Sequence, residues 1–181
     1  MSAVGVPVTN YQPPAPADPI VVGVDQTVAS RHALEWAAAE AESRGMKILA
    51  ITTFLSRSTL VAGPYPEALL PTPAEIDDDY RASLLEAVGA VSRQYPQVRI
   101  EAKAVEGTAA EVLIEVSKHA AELVVGSRGR SALIGLLLGS VSQRCVSEAH
   151  CPVVVVGPRA RVEQHRPLGF RFNSRVDWTP A

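Results

Sequence analysis

The sequence predicts an α/β fold, an open five-stranded parallel sheet with helices on both faces. Three observations carry that expectation. Apolar, β-branched runs begin at Ile20, Lys47, Val98, Leu123 and Cys151, and stretches of helical period separate them. The first two runs are apolar on both faces, which suits strands covered by a layer on each side. Regular alternation of strand and helix joins the strands in parallel through right-handed crossovers.

Residues 1–18 hold Pro7, Pro13, Pro14 and Pro16 with little hydrophobic period, and read as a flexible extension ahead of a domain over 19–157. Ile20 to Val24 is the first strand, closed by Asp25. Thr27 or Ser30 can cap a helix over Arg31 to Ser43, which Gly45 stops. Leu34, Ala37, Ala38 and Ala41 mark one helical face, and the alanines let it lie close to the sheet. Lys47 to Phe54 is the second strand. Ser56 to Ala74, with Gly63, Pro64, Pro66, Pro71 and Pro73, reads as a loop of a length that is usually functional or disordered. A helix over Ile76 to Gln94 places Ile76, Tyr80, Leu84, Ala87 and Val91 on one stripe, and Pro96 closes it. Asp77, Asp78 and Asp79 suit its first turn through the helix dipole.

Val98 to Val105 alternates apolar and charged residues, so this third strand has a wet face or edge. Thr108 and Glu111 form a T-x-x-E capping box before a helix that buries Leu113, Val116, Ala120 and Ala121. Leu123 to Val125 is the fourth strand. Ser140 with Gln143 repeats the box logic and starts a helix directly after Gly139. Cys151 to Val156 is the fifth strand, with Pro152 tolerable at its start. Residues 158–181, carrying Arg159, Arg161, Arg166, Arg171 and Arg175, read as an irregular tail.

Composition narrows the function classes. At 181 residues, 47% hydrophobic and 20% charged, the chain suits one soluble domain with a full core. A net charge of −2 supplies no basic footprint for nucleic acid. No apolar run reaches membrane length and no basic leader opens the chain, so a soluble cytoplasmic protein without a membrane partner is expected. Cys145 and Cys151 make neither a disulfide framework nor a zinc signature, and read as reduced thiols. His32, His119 and His150 lack the spacing of a metal site or a catalytic triad.

In parallel sheets, ligands bind at the carboxyl ends of the strands. Asp25, Thr52-Thr53, Gly107 and Gly126 all fall at such ends. The most specific stretch is Gly126-Ser127-Arg128-Gly129, followed nine residues later by Gly139-Ser140. It is neither a Walker A loop nor a G-x-G-x-x-G fingerprint. Its G-x2-G-x9-G-S spacing runs from a buried strand to a helix start. Glycines admit backbone N–H groups close to an anion, and a helix N-terminus adds free N–H groups and partial positive charge. The expected occupant is the phosphate end of a nucleotide.

On these residues the chain resembles the universal stress protein family, in its ATP-binding branch, over about Pro19 to Gly157. Val22-Gly23-Val24-Asp25 resembles the family's first-strand aspartate motif, and Glu106-Gly107 its loop after the third strand. Gly126 through Ser142 is similar to its phosphate motif without gaps, and Pro152 to Val156 to its closing strand. The resemblance implies a Rossmann-like nucleotide-binding fold with adenosine between the first, second and fourth strand ends. It implies that Val24 and Asp25 meet the base and ribose and that Thr53 gives backbone contacts to adenine. Val125, Gly126 and Gly129 would line ribose and phosphates, with Arg128 beside them, and Gly139, Ser140, Val141 and Ser142 would hold the phosphates. It implies ATP as ligand, with magnesium as an optional companion, and a homodimer through Val153 to Val156. Two departures stand out. Gln26-Thr27 follows Asp25 where many relatives carry a small residue and serine, and Thr108-Ala109 stands where a proline often follows the glycine loop.

Three functions remain open at this level. One is an ATP-binding stress-response protein that senses or sequesters nucleotide and signals through an unidentified partner. Another is a weak ATP hydrolase or phosphotransferase, although no residue pattern supplies a positioned base or a magnesium site. The last is a dimeric scaffold that is independent of nucleotide or prefers cyclic AMP.

Overall fold

The computed structural model describes residues 18–55, 73–127, 138–158 and 160. The predicted N-terminal extension up to residue 17, the stretch 56–72, Arg128, Gly129 and most of the tail lie outside them. The described chain runs β1 (Ile20–Gly23), α1 (Val28–Arg44), β2 (Ile48–Phe54), α2 (Pro73–Gln94), β3 (Ile100–Glu106), α3 (Ala109–Val116) with a 3-10 turn (Ser117–His119), β4 (Glu122–Gly126), α4 (Ser140–Glu148) and β5 (Val153–Val156).

The five strands form one parallel sheet in the order β3-β2-β1-β4-β5. The predicted fold class is therefore the one found. Chain order runs outward from β1 to β3, then returns to the other side of β1 at β4. The direction of winding reverses between β1 and β4, and crevices open at such points beyond the carboxyl ends.

Strand composition explains the layering. In β1, alternate side chains face opposite layers. Ile20 and Val22 join α1 and α2 through Leu34, Ala37, Ala38, Leu84 and Val88. Val21 points the other way, to Leu113 of α3 and Cys145 of α4. The side chains of Ile20, Val21 and Val22 are fully buried, and each stabilises the fold by about 1.5–3 kcal/mol relative to exposure. Ala33, Ala37, Ala38 and Ala41 are buried as well, so α1 lies against the sheet without bulky spacers.

Several boundaries shift for local reasons. α1 opens at Val28, ahead of the expected Arg31, because Thr27 is the cap and its hydroxyl accepts the Ser30 N–H at 3.2 Å. Gly45 closes it in the left-handed conformation, φ 63°. α2 opens at Pro73, so Pro73 and Ala74 leave the expected loop. A proline at the first helical position gives up no hydrogen bond. β3 starts at Ile100, since the Val98 N–H turns back to the Tyr95 carbonyl at 3.1 Å. Its expected wet side is present: Glu101, Lys103 and Glu106 are exposed. Thr108 does precede α3, but its hydroxyl donates to the Glu111 carboxylate and caps no backbone N–H, so the reciprocal box is not formed.

Candidate functional site at the β1–β4 crevice

The residue after β1 and Val24 sets one wall of the crevice. The Val24 N–H still belongs to the sheet, donating to the Ile51 carbonyl at 2.8 Å, and its side chain is buried. Asp25 then leaves the ladder. Its Oδ1 accepts the Thr27 hydroxyl at 2.6 Å and the Thr27 N–H at 3.2 Å, while its own N–H donates to the Ser30 hydroxyl at 3.2 Å. Between them Gln26 takes a left-handed backbone, φ 69°. This tight Asx-type turn sets a carboxylate immediately before α1. Gln26-Thr27 thus has a structural use: Thr27 both caps α1 and fixes Asp25.

The opposite wall is the end of β4. Gly126 stands against the first turn of α1, where a Cβ would come within 2.9 Å of the Ala29 carbonyl carbon and the Ser30 nitrogen. Glycine is needed here for close approach to a helix, and the space a side chain would enter is already filled by backbone. Val125 is buried in the α3–α4 layer. Thr53 is half-buried near the end of β2, paired in register with Val105. Beside it, Phe54 meets Tyr80 of α2 with ring centroids 6.0 Å apart. The Phe54 carbonyl accepts the Gly107 N–H at 2.9 Å, and Gly107 has φ 141°, a conformation that favours glycine.

Ser127 joins the two glycine turns. Its N–H donates to the Val156 carbonyl at 2.7 Å, and its carbonyl accepts the Gly139 N–H at 2.7 Å and the Ser142 hydroxyl at 3.1 Å. The Ser142 hydroxyl also lies 3.0 Å from the Gly139 carbonyl, and its side chain is buried. The helix begins right after Gly139, as expected, but Gly139 itself is the cap and Ser140 the first helical residue. The expected Ser140–Gln143 box is not formed. Ser127 holds Gly139 in an extended conformation, φ −76° and ψ 162°, which puts the cap one residue earlier. The Gly139 N–H is spent on Ser127. The donors that an α-helix opening at Ser140 leaves without an intrahelical partner are the N–H groups of Ser140, Val141 and Ser142.

Two helix N-termini flank the crevice, and they differ electrostatically. α1 is preceded by the Asp25 carboxylate and capped by Thr27. α4 has a glycine cap and no acidic residue in its first turn. A second anion is therefore favoured at α4 by the free N–H groups and the dipole, and disfavoured near Asp25. Of the residues named from sequence, Asp25 follows β1 and Gly126 ends β4 against the first turn of α1, while Gly139, Ser140, Val141 and Ser142 open α4, which Ser127 ties to β4; Val24 and Val125 are buried, and Thr53 lies near the end of β2. Arg128 and Gly129 lie outside the described residues. Thr27, Ser30, Ser127 and Val156 were not singled out as site residues. Thr27 and Ser30 carried only a capping signal, and Ser127 sat unremarked between two glycines.

Among the described residues no group of His, Cys, Asp and Glu could hold a metal ion, and no helix is long and apolar enough to cross a membrane. Cys145 and Cys151 are free.

Comparison with known proteins gives consistent findings. Residues 16–157 match the family model described as the universal stress protein family. A universal stress protein of Mycolicibacterium smegmatis is 36% identical over 141 residues, 78% of this chain and 46% of that protein. The chain spans about half the length of the curated relatives it matches (46% and 50% for two of them). Among solved structures, UspA of Lactobacillus plantarum superposes with TM-score 0.64 at 20% identity, covering 78% of this chain and 99% of that one. A universal stress protein in complex with cAMP superposes with TM-score 0.60 at 25% identity, covering 78% and 98%.

Proposed function

Because the chain belongs to the universal stress protein family, we propose that it binds an adenine nucleotide, ATP foremost, and acts in the cytoplasm as a nucleotide-dependent regulator in stress response. The observation that carries this is the contrast between the two helix N-termini at the β1–β4 crevice. Asp25 suits the sugar end, where hydroxyls can donate to a carboxylate. The first turn of α4 suits the phosphates, since an anion at a helix N-terminus is stabilised by the dipole by about 0.3–1 kcal/mol. Backbone near Val24 and Thr53 would meet the base, Val125 and Gly126 the ribose, with Arg128 and Gly129 on the phosphate side. Ser140, Val141 and Ser142 would donate their N–H groups to the phosphates, and any magnesium would come with the ATP. Gly139 would act as the cap that exposes that turn.

The neighbour solved with cAMP supports an adenine ligand and gives a second reading, in which cyclic AMP is preferred. Titration calorimetry with ATP, ADP, AMP and cyclic AMP decides. ATP binding with micromolar affinity is expected. Absence of any binding at millimolar concentration would overturn the nucleotide reading, and tighter binding of cyclic AMP would favour the second. Mass spectrometry of nucleotide released from protein purified without added ligand is an independent check.

The same proposal includes a homodimer through β5. The β3 edge is charged, with Glu101 and Lys103 paired at 3.1 Å, which discourages edge-to-edge pairing. The β5 edge is four valines, with no charged side chain of that kind in the strand itself.

A further inference from the structure

The motif resemblance makes Ser142 one more phosphate ligand. The geometry points elsewhere, and we propose that the Ser142 hydroxyl is a positioning group that ties the end of β4 to the first turn of α4. This rests on the nucleotide reading and assigns the hydroxyl a different task within it. Three observations carry it. The side chain is 2% exposed. Its Oγ lies 3.1 Å from the Ser127 carbonyl and 3.0 Å from the Gly139 carbonyl, so its single proton is shared between two acceptors that bracket residues 128–138. The Ser127 carbonyl also takes the Gly139 N–H at 2.7 Å, and the Ser127 N–H reaches the Val156 carbonyl at 2.7 Å. A hydroxyl committed to two carbonyls cannot donate the same proton to a phosphate. Its effect is to keep the N–H groups of Ser140, Val141 and Ser142 aimed before a ligand arrives, so that binding does not have to order them.

The test uses the full chain with Ser142→Ala and Ser142→Cys. Cysteine keeps the side-chain shape with a slightly larger atom and offers only a weak donor, so it fills the site while removing most of the hydrogen bond. Two measurements are made: NMR amide exchange at Gly139 without ligand, and ATP affinity by calorimetry. Loss of the tie should speed Gly139 exchange and weaken ATP about three- to tenfold in both variants, the range one net hydrogen bond supplies. A drop in ATP affinity with Gly139 exchange unchanged would overturn the proposal in favour of a direct phosphate contact. Wild-type behaviour of Ser142→Cys in both measurements would overturn it in favour of packing alone. If the wild type binds no adenine nucleotide, the nucleotide reading falls by itself, and the exchange measurement still decides the tie: faster exchange upholds it and unchanged exchange overturns it.

Discussion

Gly126 and Ala29 are in such close approach that a Cβ on Gly126 would stand 2.9 Å from the Ala29 carbonyl carbon. The fourth strand and the first helix meet backbone to backbone at the mouth of the crevice. Gly126→Ala should therefore destabilise the fold by about 1–3 kcal/mol, the usual cost of overpacking a site that cannot yield. The urea midpoint measures it. Gly126→Asp should fail in the same way before its charge matters, so lost nucleotide binding in that variant would report a displaced α1. A Gly126→Ala protein as stable as wild type would contradict this packing.

Much of the fold was legible because each strand is a short apolar run and each connection carries a helical stripe; Ile20 to Val24 and Leu123 to Val125 are β-branched runs too short for a helix. Strand order was not legible, since pairing of β1 with both β2 and β4 is a long-range choice that no local pattern encodes. At the site, residue types and spacing located Asp25, Gly126 and Gly139. They could not reveal direction. Ser142 reads as another donor in a G-S-V-S run, yet its hydroxyl faces the protein. Gly126 reads as a glycine of an anion-binding turn, and its missing Cβ is also what lets Ala29 and Ser30 approach. Thr27 looked like a departure from the family pattern and proved to be the residue that orients Asp25.

Glu122 should make stability depend on pH. Its Oε2 pairs with Arg44 at 3.1 Å, while Oε1 is buried with no hydrogen-bond partner among the described residues. Burial raises its pKa above the usual carboxylate range, outweighing the lowering by Arg44, and Glu40 adds to the rise. A carboxyl raised in the folded state contributes stability that is complete below the unfolded pKa and fades as pH climbs through the folded one. Glu122→Gln removes that dependence. Its melting temperature, taken relative to wild type at each pH, should climb as pH rises from the ordinary carboxylate range through the raised folded pKa. A difference that stays level or declines over that range would contradict it.

The two thiols should be sluggish. Burial pushes Cys145 and Cys151 from 9.0 up to about 11, and the thiolate is the reactive form. At pH 8 each holds about a hundredfold less thiolate than an unperturbed thiol. Iodoacetamide should label the native protein far more slowly than the urea-unfolded chain, with Cys145, fully buried, slower than half-buried Cys151. Rapid native labelling of Cys145 would contradict the assigned burial.

The proposed dimer can be tested through the outward-facing backbone of β5. Pro152 and Val156 turn their carbonyls to β4, accepting the N–H groups of Leu123 at 2.9 Å and Ser127 at 2.7 Å. In a parallel ladder, bonding alternates along the strand, so Val154 also faces β4, while Val153 and Val155 present their N–H and C=O groups to the open edge. Val154 is the poorer probe, because its N–H and C=O belong to the β4 ladder while its side chain packs on the α1 layer. Val155→Pro removes an outward N–H and leaves the β4 ladder intact, an edge position at which a sheet tolerates proline, and trims only a partly buried side chain from the α3–α4 layer. If β5 pairs with β5 of a second copy, light scattering should give a dimer for wild type and a monomer for Val155→Pro, with far-UV circular dichroism unchanged. A Val155→Pro protein that remains dimeric would move the interface away from this edge.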